Sequence, residues 1–454
     1  MFSNLAVNIP AQTHNFVFNE TREAQPSPVI NQEENSNPDF WDKAQSLAEL
    51  VCSRESIFRA ALDITGWELP NIVASASRNI YSFYESIFQT ALTTVLNVGA
   101  PYFTKKVGEL VGSRILTEDE KPDLHKYMLF QLKDLEDEES FKRGIQRIIH
   151  EEPEDILFNA MLSKQSPEKL EKIKAKAQAI KDFFSKLEYS EDLFNRVKKL
   201  KRQVIVGESA VEGIGWGAFL PMIRMFRKHV LGQNRFTGTM KYESDEESKK
   251  LGDAGDMKWW QKGGTGFGMV VSPLLNNYLL NKIEDKEAVA NSKILQIVKD
   301  QWDMTHGIFP KLGLMLSFIQ VPATIGRFFS AQGKAELYEN MMILGGMVPS
   351  WWFGHRVTNG WLAKLADGKF AKKHGIEPGI FLEKKDLDHP APDPAKIHHV
   401  INTTKHDPVI EKDARRKHAQ ILYGGFTMHS ALVFCVRMLI NQVTKWRVDN
   451  KLKN

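Results

Sequence analysis

Residues 418–436 read HAQILYGGFTMHSALVFCV, nineteen positions without one Asp, Glu, Lys or Arg. A core helix of a soluble protein usually turns charge toward water on its outer face. A helix with no charged face describes surroundings in which no side meets water. Four more windows share this character: 86–103, 263–281, 312–326 and 340–354. Charged sequence fills the intervals between them. The expected fold is therefore all-α, with a multi-span helical membrane region and a charged helical soluble region.

The windows are not simple lipid anchors. The windows 263–281 and 418–436 reach 19 uncharged positions, near the roughly 20 of a spanning helix, while 312–326 and 340–354 reach only 15. Asn276, Asn277, Gln320, Ser350 and His429 dilute them with polar groups. Buried helices of a soluble α-domain, or a chain lying on a membrane surface, are the competing readings. Glycine lets helix backbones approach one another in lipid. Pro273, Pro322 and Pro349 are tolerated where neighbours satisfy the freed carbonyls. Tryptophan favours the lipid interface, and Trp259-Trp260, Trp351-Trp352, Trp361 and Trp446 sit near window ends.

Segment 213–230 is interrupted by Arg224, Arg227, Lys228 and His229 and reads as an interfacial helix with a basic face. Five spans then remain. Lys105 and Lys106, Arg327, and Lys445 with Arg447 would share one side, which places the C-terminus in the cytoplasm by the positive-inside bias. Arg437 closes the last window and is expected to snorkel toward the interface, the rival being a polar interior. His429 lies deeper and calls for an interhelical hydrogen bond.

Composition agrees with a chain partly in lipid and partly in water, without deciding it. The mean hydropathy is −0.33. A net charge of +4 is too weak to argue for nucleic acid. Cys52 and Cys435, far apart in apolar contexts, make no disulfide framework. The acidic N-terminus does not resemble a cleaved targeting segment. Residues 1–38 read as a disordered leader, with helix starting near Asp39. Apolar residues at helical spacing run through 39–116, broken at Gly66 and Pro70, with a bend expected near Gly99–Pro101.

Residues 117–206 form the soluble charged region. Thr117 and Glu120 fit a capping box, and Ser166-Pro167-Glu168 opens a helix with the stripe Leu170, Ile173, Ala177, Ile180, Phe183, Phe184, Leu187. Lys198, Lys199, Lys201 and Arg202 read as a solvated face. Protein partners, if any, would use this region, and the lipid bilayer would hold 207–454. Two long polar connections, 232–262 and 365–417, interrupt the latter. No repeat of fixed period is evident.

Chemical motifs are weak. His389, Asp393, His398, His399 and His406 are the only candidate metal ligands, yet prolines surround them and no known ligand spacing is matched. The glycines of 213–217 and 263–268 lack the Lys-Ser/Thr of a phosphate loop, which leaves close helix packing as their role. Ser209 lacks the second glycine of a nucleophile elbow. No cofactor is implied and no motif names a family. The expected function is non-catalytic: moving a solute through broken helices that carry Asn276, Asn277 and Gln320, or holding a membrane assembly together. A membrane enzyme built on the histidine-rich loop, or a soluble helical scaffold, are the alternatives.

Overall fold

The computed structural model describes residues 40–52, 55–162, 167–239, 256–305, 307, 309–376, 378–379, 381 and 407–453. The leader expected at 1–38 lies outside them. Helix begins at Phe40, close to the expected start, with α1 (Phe40–Cys52), α2 (Glu55–Asp63) and α3 (Leu69–Ala76). Gly66 and Pro70 do not end this run. A wider π turn, Ile64–Glu68, joins α2 to α3. The break comes instead at 77–79, where Asn79 accepts the Ser82 N–H at 2.7 Å and caps α4 (Ile80–Ile115). Through Gly99–Pro101, where a bend was expected, α4 stays helical.

The charged region follows. It comprises α5 (Leu124–Tyr127), α6 (Glu138–Leu162), α7 (Pro167–Ser185) and the first half of α8 (Glu191–His229). Glu120 accepts the Thr117 N–H at 3.0 Å, but only a short 3-10 turn follows, so the expected capping box opens no long helix. Burial pulls Glu120 upward; the Arg196 guanidinium, bonded to it at 2.6 Å, outweighs this and holds it below its usual range. Ala177, Ile180 and Phe184 bury the stripe of α7, and α8 adds Leu193, Val197, Leu200 and Val204. At the centre Phe130 stacks on Phe141 at 4.6 Å and meets Phe184 edge-on at 5.6 Å. Phe130 is fully buried. Phe130→Ala should therefore cost about 3–5 kcal/mol, seen as earlier thermal unfolding of the full chain.

The compositional boundary at 206/207 falls in mid-helix, because α8 runs unbroken from charged to apolar sequence. Beyond it come α9 (Trp259–Glu284), α10 (Lys286–Ala290), α11 (Lys293–Gln301) and a small hairpin of β1 (Met304–Thr305) and β2 (Phe309–Pro310). Then follow α12 (Leu312–Met315), a π turn (Leu316–Gln320), α13 (Val321–Ser330), α14 (Lys334–Met342), a third π turn (Ile343–Met347), α15 (Val348–His374) and α16 (Pro408–Lys453). The fold is all-α apart from that hairpin. The connection expected at 365–417 is shortened at both ends, because α15 continues to His374 and α16 starts at Pro408. Likewise α9 begins inside 232–262.

Three π turns share one sequence rule. Each is followed by a branched apolar residue and a proline: Leu69-Pro70, Val321-Pro322 and Val348-Pro349. Proline removes an N–H and clashes with the carbonyl four residues back. That carbonyl belongs to Gly66, Phe318 and Gly345, in each case the middle residue of the π turn. Widening the turn to i→i−5 bonding, as from Leu69 N–H to Ile64 O, accommodates the ring without ending the helix.

Helix α8 is central, packing on α4, α9 and α13. It buries Trp216, Phe219, Leu220, Ile223, Arg224 and Arg227. The interfacial helix expected at 213–230 is corrected in part: Arg224 and Arg227 point into the protein, while Lys228 and His229 stay exposed. The orientation argument falls with it. Antiparallel α4 and α8 meet at Glu85–Arg227 and at Thr104–Glu208. Lys105 and Lys106 therefore lie at the opposite end of the bundle from Arg227. Arg327 is not with them, because α13 reaches the Arg227 end, where the Ser330 carbonyl accepts from Arg224 at 3.1 Å.

These helices carry exposed apolar strips. On α9, Phe267, Val270, Leu274 and Tyr278 are exposed at successive turns. Phe353, Val357, Trp361 and Leu365 do the same on α15, and Met428, Leu432, Leu439 and Trp446 on α16, with Cys435 between them. Ile80, Tyr84, Ile87, Val95 and Tyr102 line α4. Among the described residues one helical stretch, Val409–Asn450, is long and apolar enough to cross a membrane.

Candidate functional site

Charges that stand at the margins of separate windows converge in space. Arg227, only 2% exposed, grips Glu85 through Nε and Nη2, both at 2.7 Å. Its Nη1 reaches Glu336 at 2.7 Å and Gln332 at 2.9 Å. The Thr237 hydroxyl donates to Glu85 at 2.7 Å. Beside this group, Arg78 makes two bonds to Glu339, and Arg437 Nη2 contacts Glu339 at 3.0 Å. Four helices and three turn positions, Arg78, Thr237 and Gln332, thus supply one buried ionic layer. Two-point guanidinium–carboxylate bonding gives such pairs fixed geometry as well as energy.

The layer borders a cavity of about 30 Å³, roughly two waters in size. Next to it lies a second cavity of about 50 Å³. All three π turns contribute walls to the second: Trp67 from the first, Ile319 and Gln320 from the next, Ile343 and Leu344 from the third. Asp63, Thr93 and Asn97 add polar groups, and Asn97 donates to Asp63 at 2.7 Å. Trp67, Arg327 and Ile343 line both cavities. Arg327 lies 5.6 Å from the Phe219 ring centre, and no carboxylate of the described residues lies within ion-pair distance of it. The protein thus places an unpaired guanidinium and the Asp63 carboxylate where proline-widened helices leave space.

The residues singled out in sequence divide sharply. Gln320 lines the second cavity. Arg437 does not snorkel; it turns inward to Glu339, because that carboxylate offers a partner that lipid or a distant interface does not. Asn276 lies fully buried near the other end of the bundle, accepting from Trp302 at 2.8 Å and Ser317 at 2.9 Å. It ties α9 to the π-turn helix and is remote in role from the ionic layer. Asn277, its neighbour, is exposed. His429 meets the Ser350 carbonyl at 3.2 Å, the interhelical bond its position called for. Gly66 and Gly354 make room for its ring, since an added Cβ would lie 2.2 and 2.9 Å from it.

His389, Asp393, His398, His399 and His406 fall outside the described residues; Asp407, just after them, accepts the Val409 N–H at 2.9 Å at the start of α16. Lys201 was expected on a solvated face, but it is buried and paired with Asp303 at 3.3 Å. Sequence patterning missed Glu85, Glu336 and Glu339 altogether. The available signal was that each stands within a few residues of an uncharged window, as do Arg327 and Arg437.

Compared with family models, curated proteins and solved structures, the chain matches none.

Proposed function

We propose that the protein is a multi-pass α-helical membrane protein that passes a small polar solute through the chamber between its π-turn helices. The observation carrying this reading is polarity: apolar side chains face outward on four helices, while a layer of arginine–glutamate pairs is buried inside. A water-soluble core has the reverse arrangement. Intramembrane ion pairs characteristically face the bundle interior and mark pathways. Depth supports the same reading. Glu85 and Thr104 pair with Arg227 and Glu208 nineteen residues apart on both helices, about 28 Å at 1.5 Å per residue. A hydrocarbon core is about 30 Å thick.

Proline-interrupted helices around a central cavity suit a site that opens alternately to either side. The cavities as they stand have room for only a few waters, so binding or passage of a solute, a small oxyanion included, requires the lining helices to move apart. The widened turns are the natural places for that movement, since their hydrogen bonding is already irregular.

Cys435 provides the test of the membrane reading. It is exposed on the apolar strip of α16. In a Cys52→Ser chain, a membrane-impermeant maleimide should leave Cys435 unlabelled in intact membranes and label it after denaturation in detergent. Rapid labelling without detergent, together with recovery in the high-speed supernatant, would refute the proposal. Transport itself is tested by solute flux into liposomes holding the purified chain.

A further inference from the structure

We infer that the smaller cavity is a binding site for a small oxyanion, a carboxylate or phosphate group, held by Arg437, Arg327, Ser82 and Ser86. As a statement of substrate class it rests on the transport reading above; as a statement of binding it stands alone.

The argument begins with charge. Four arginines line the cavity, Arg78, Arg227, Arg327 and Arg437, against three glutamates, Glu85, Glu336 and Glu339. Every carboxylate is engaged: Glu85 and Glu336 by Arg227, Glu339 by Arg78 and Arg437. The guanidinium of Arg327 is left over. Two further acids stand in its surroundings without reaching ion-pair distance: Glu68, whose Oε2 accepts from Thr90, and Asp63, which lines the larger cavity with Arg327 and accepts from Asn97.

Unused hydrogen-bonding capacity points the same way. Arg437 is 8% exposed, yet its Nε and Nη1 have no partner. The hydroxyls of Ser82 and Ser86, 5% and 3% exposed, are also unpartnered, and both residues line the same cavity. Asn71 lines it too, with an unpartnered Oδ1. Buried polar groups are nearly always bonded, so a cluster of unmade bonds around one space calls for an occupant. Guanidinium N–H groups and hydroxyls are donors toward an oxyanion. The Asn71 carbonyl can accept from a protonated oxygen or a water that accompanies it.

The test measures thermal unfolding of the detergent-purified full chain against rising inorganic phosphate, acetate or sodium chloride at fixed ionic strength. A ligand that binds only the folded state raises the midpoint in a saturable way. Saturable stabilisation is expected with phosphate or acetate and not with chloride, and whichever acts identifies the group recognised. The Ser82→Ala/Ser86→Ala chain, which changes no charge, should fold normally and bind about tenfold more weakly, and Arg327→Gln should lose saturable binding. Absence of saturation with both oxyanions, or equal stabilisation of the variants, would overturn the inference. Binding without liposome flux would leave the site standing and remove transport; flux without oxyanion binding would do the reverse.

Discussion

Arg227→Met should destabilise the protein by about 3–5 kcal/mol, the usual effect of removing one partner from a buried ion pair. Arg227 holds two carboxylates, Glu85 and Glu336, and the variant leaves both without their guanidinium. Neither can turn to water, since Glu85 is 5% and Glu336 2% exposed. The penalty is the desolvation of uncompensated charge, so adding Glu85→Gln to the same chain should recover part of it. The unfolding midpoint of detergent-purified protein, followed by loss of its monodisperse peak, reads both effects. A loss below about 1 kcal/mol, the range of exposed pairs, would mean that water reaches the ionic layer and that it is no sealed interior.

Gly326→Ala should also destabilise the protein, for a different reason. Three helices cross where Gly217 of α8, Gly268 of α9 and Gly326 of α13 meet. A Cβ on Gly326 would stand 2.5 Å from the Gly217 carbonyl oxygen, and one on Gly217 would stand 2.7 Å from the Met269 nitrogen. Both obstacles are backbone, which cannot rotate aside, so α8 and α13 must separate. Overpacking typically costs 1–3 kcal/mol, and here the separation also loosens Arg224 from Ser330. Gly266→Ala is the matched control, because nothing lies within 4 Å of its added Cβ. Helix propensity alone should make that variant neutral or stabilising by roughly 0.5–1 kcal/mol. Equal behaviour of the two variants would sink the close-packing account of these glycines.

Much of the helical architecture was legible because it rests on local rules. Absence of charge over 263–281 and 418–436 marks helices that stay helical in the fold. The stripe of α7 is buried at Ala177, Ile180 and Phe184, as its periodicity required. The glycines at 217, 264 and 268 could be assigned to packing by what they lack, the lysine and hydroxyl of a phosphate loop. Where local reading failed, the missing information was a partner distant in the chain. Arg224 and Arg227 interrupt an apolar run and so look interfacial; Glu85, 142 residues away from Arg227, and Glu336 supply the carboxylates that offset its burial. Lys201 looks like one of several solvated lysines until Asp303 is brought against it. Arg437 looks free to snorkel until Glu339 is placed within 3.0 Å.

Sequence by itself determined which segments are helices and which faces carry no charge, since side-chain hydration and backbone propensity act over a few residues. It also carried the branched-residue–proline steps that follow each widened turn, although their geometry was not readable as more than tolerated prolines. Tertiary structure decided what those features are for. Only packing brings the three π turns around one space and sets Arg78, Arg227, Arg327 and Arg437 against three glutamates. The physical reason is that a charge's cost of burial depends on the groups surrounding it in space, and no local pattern along the chain specifies those.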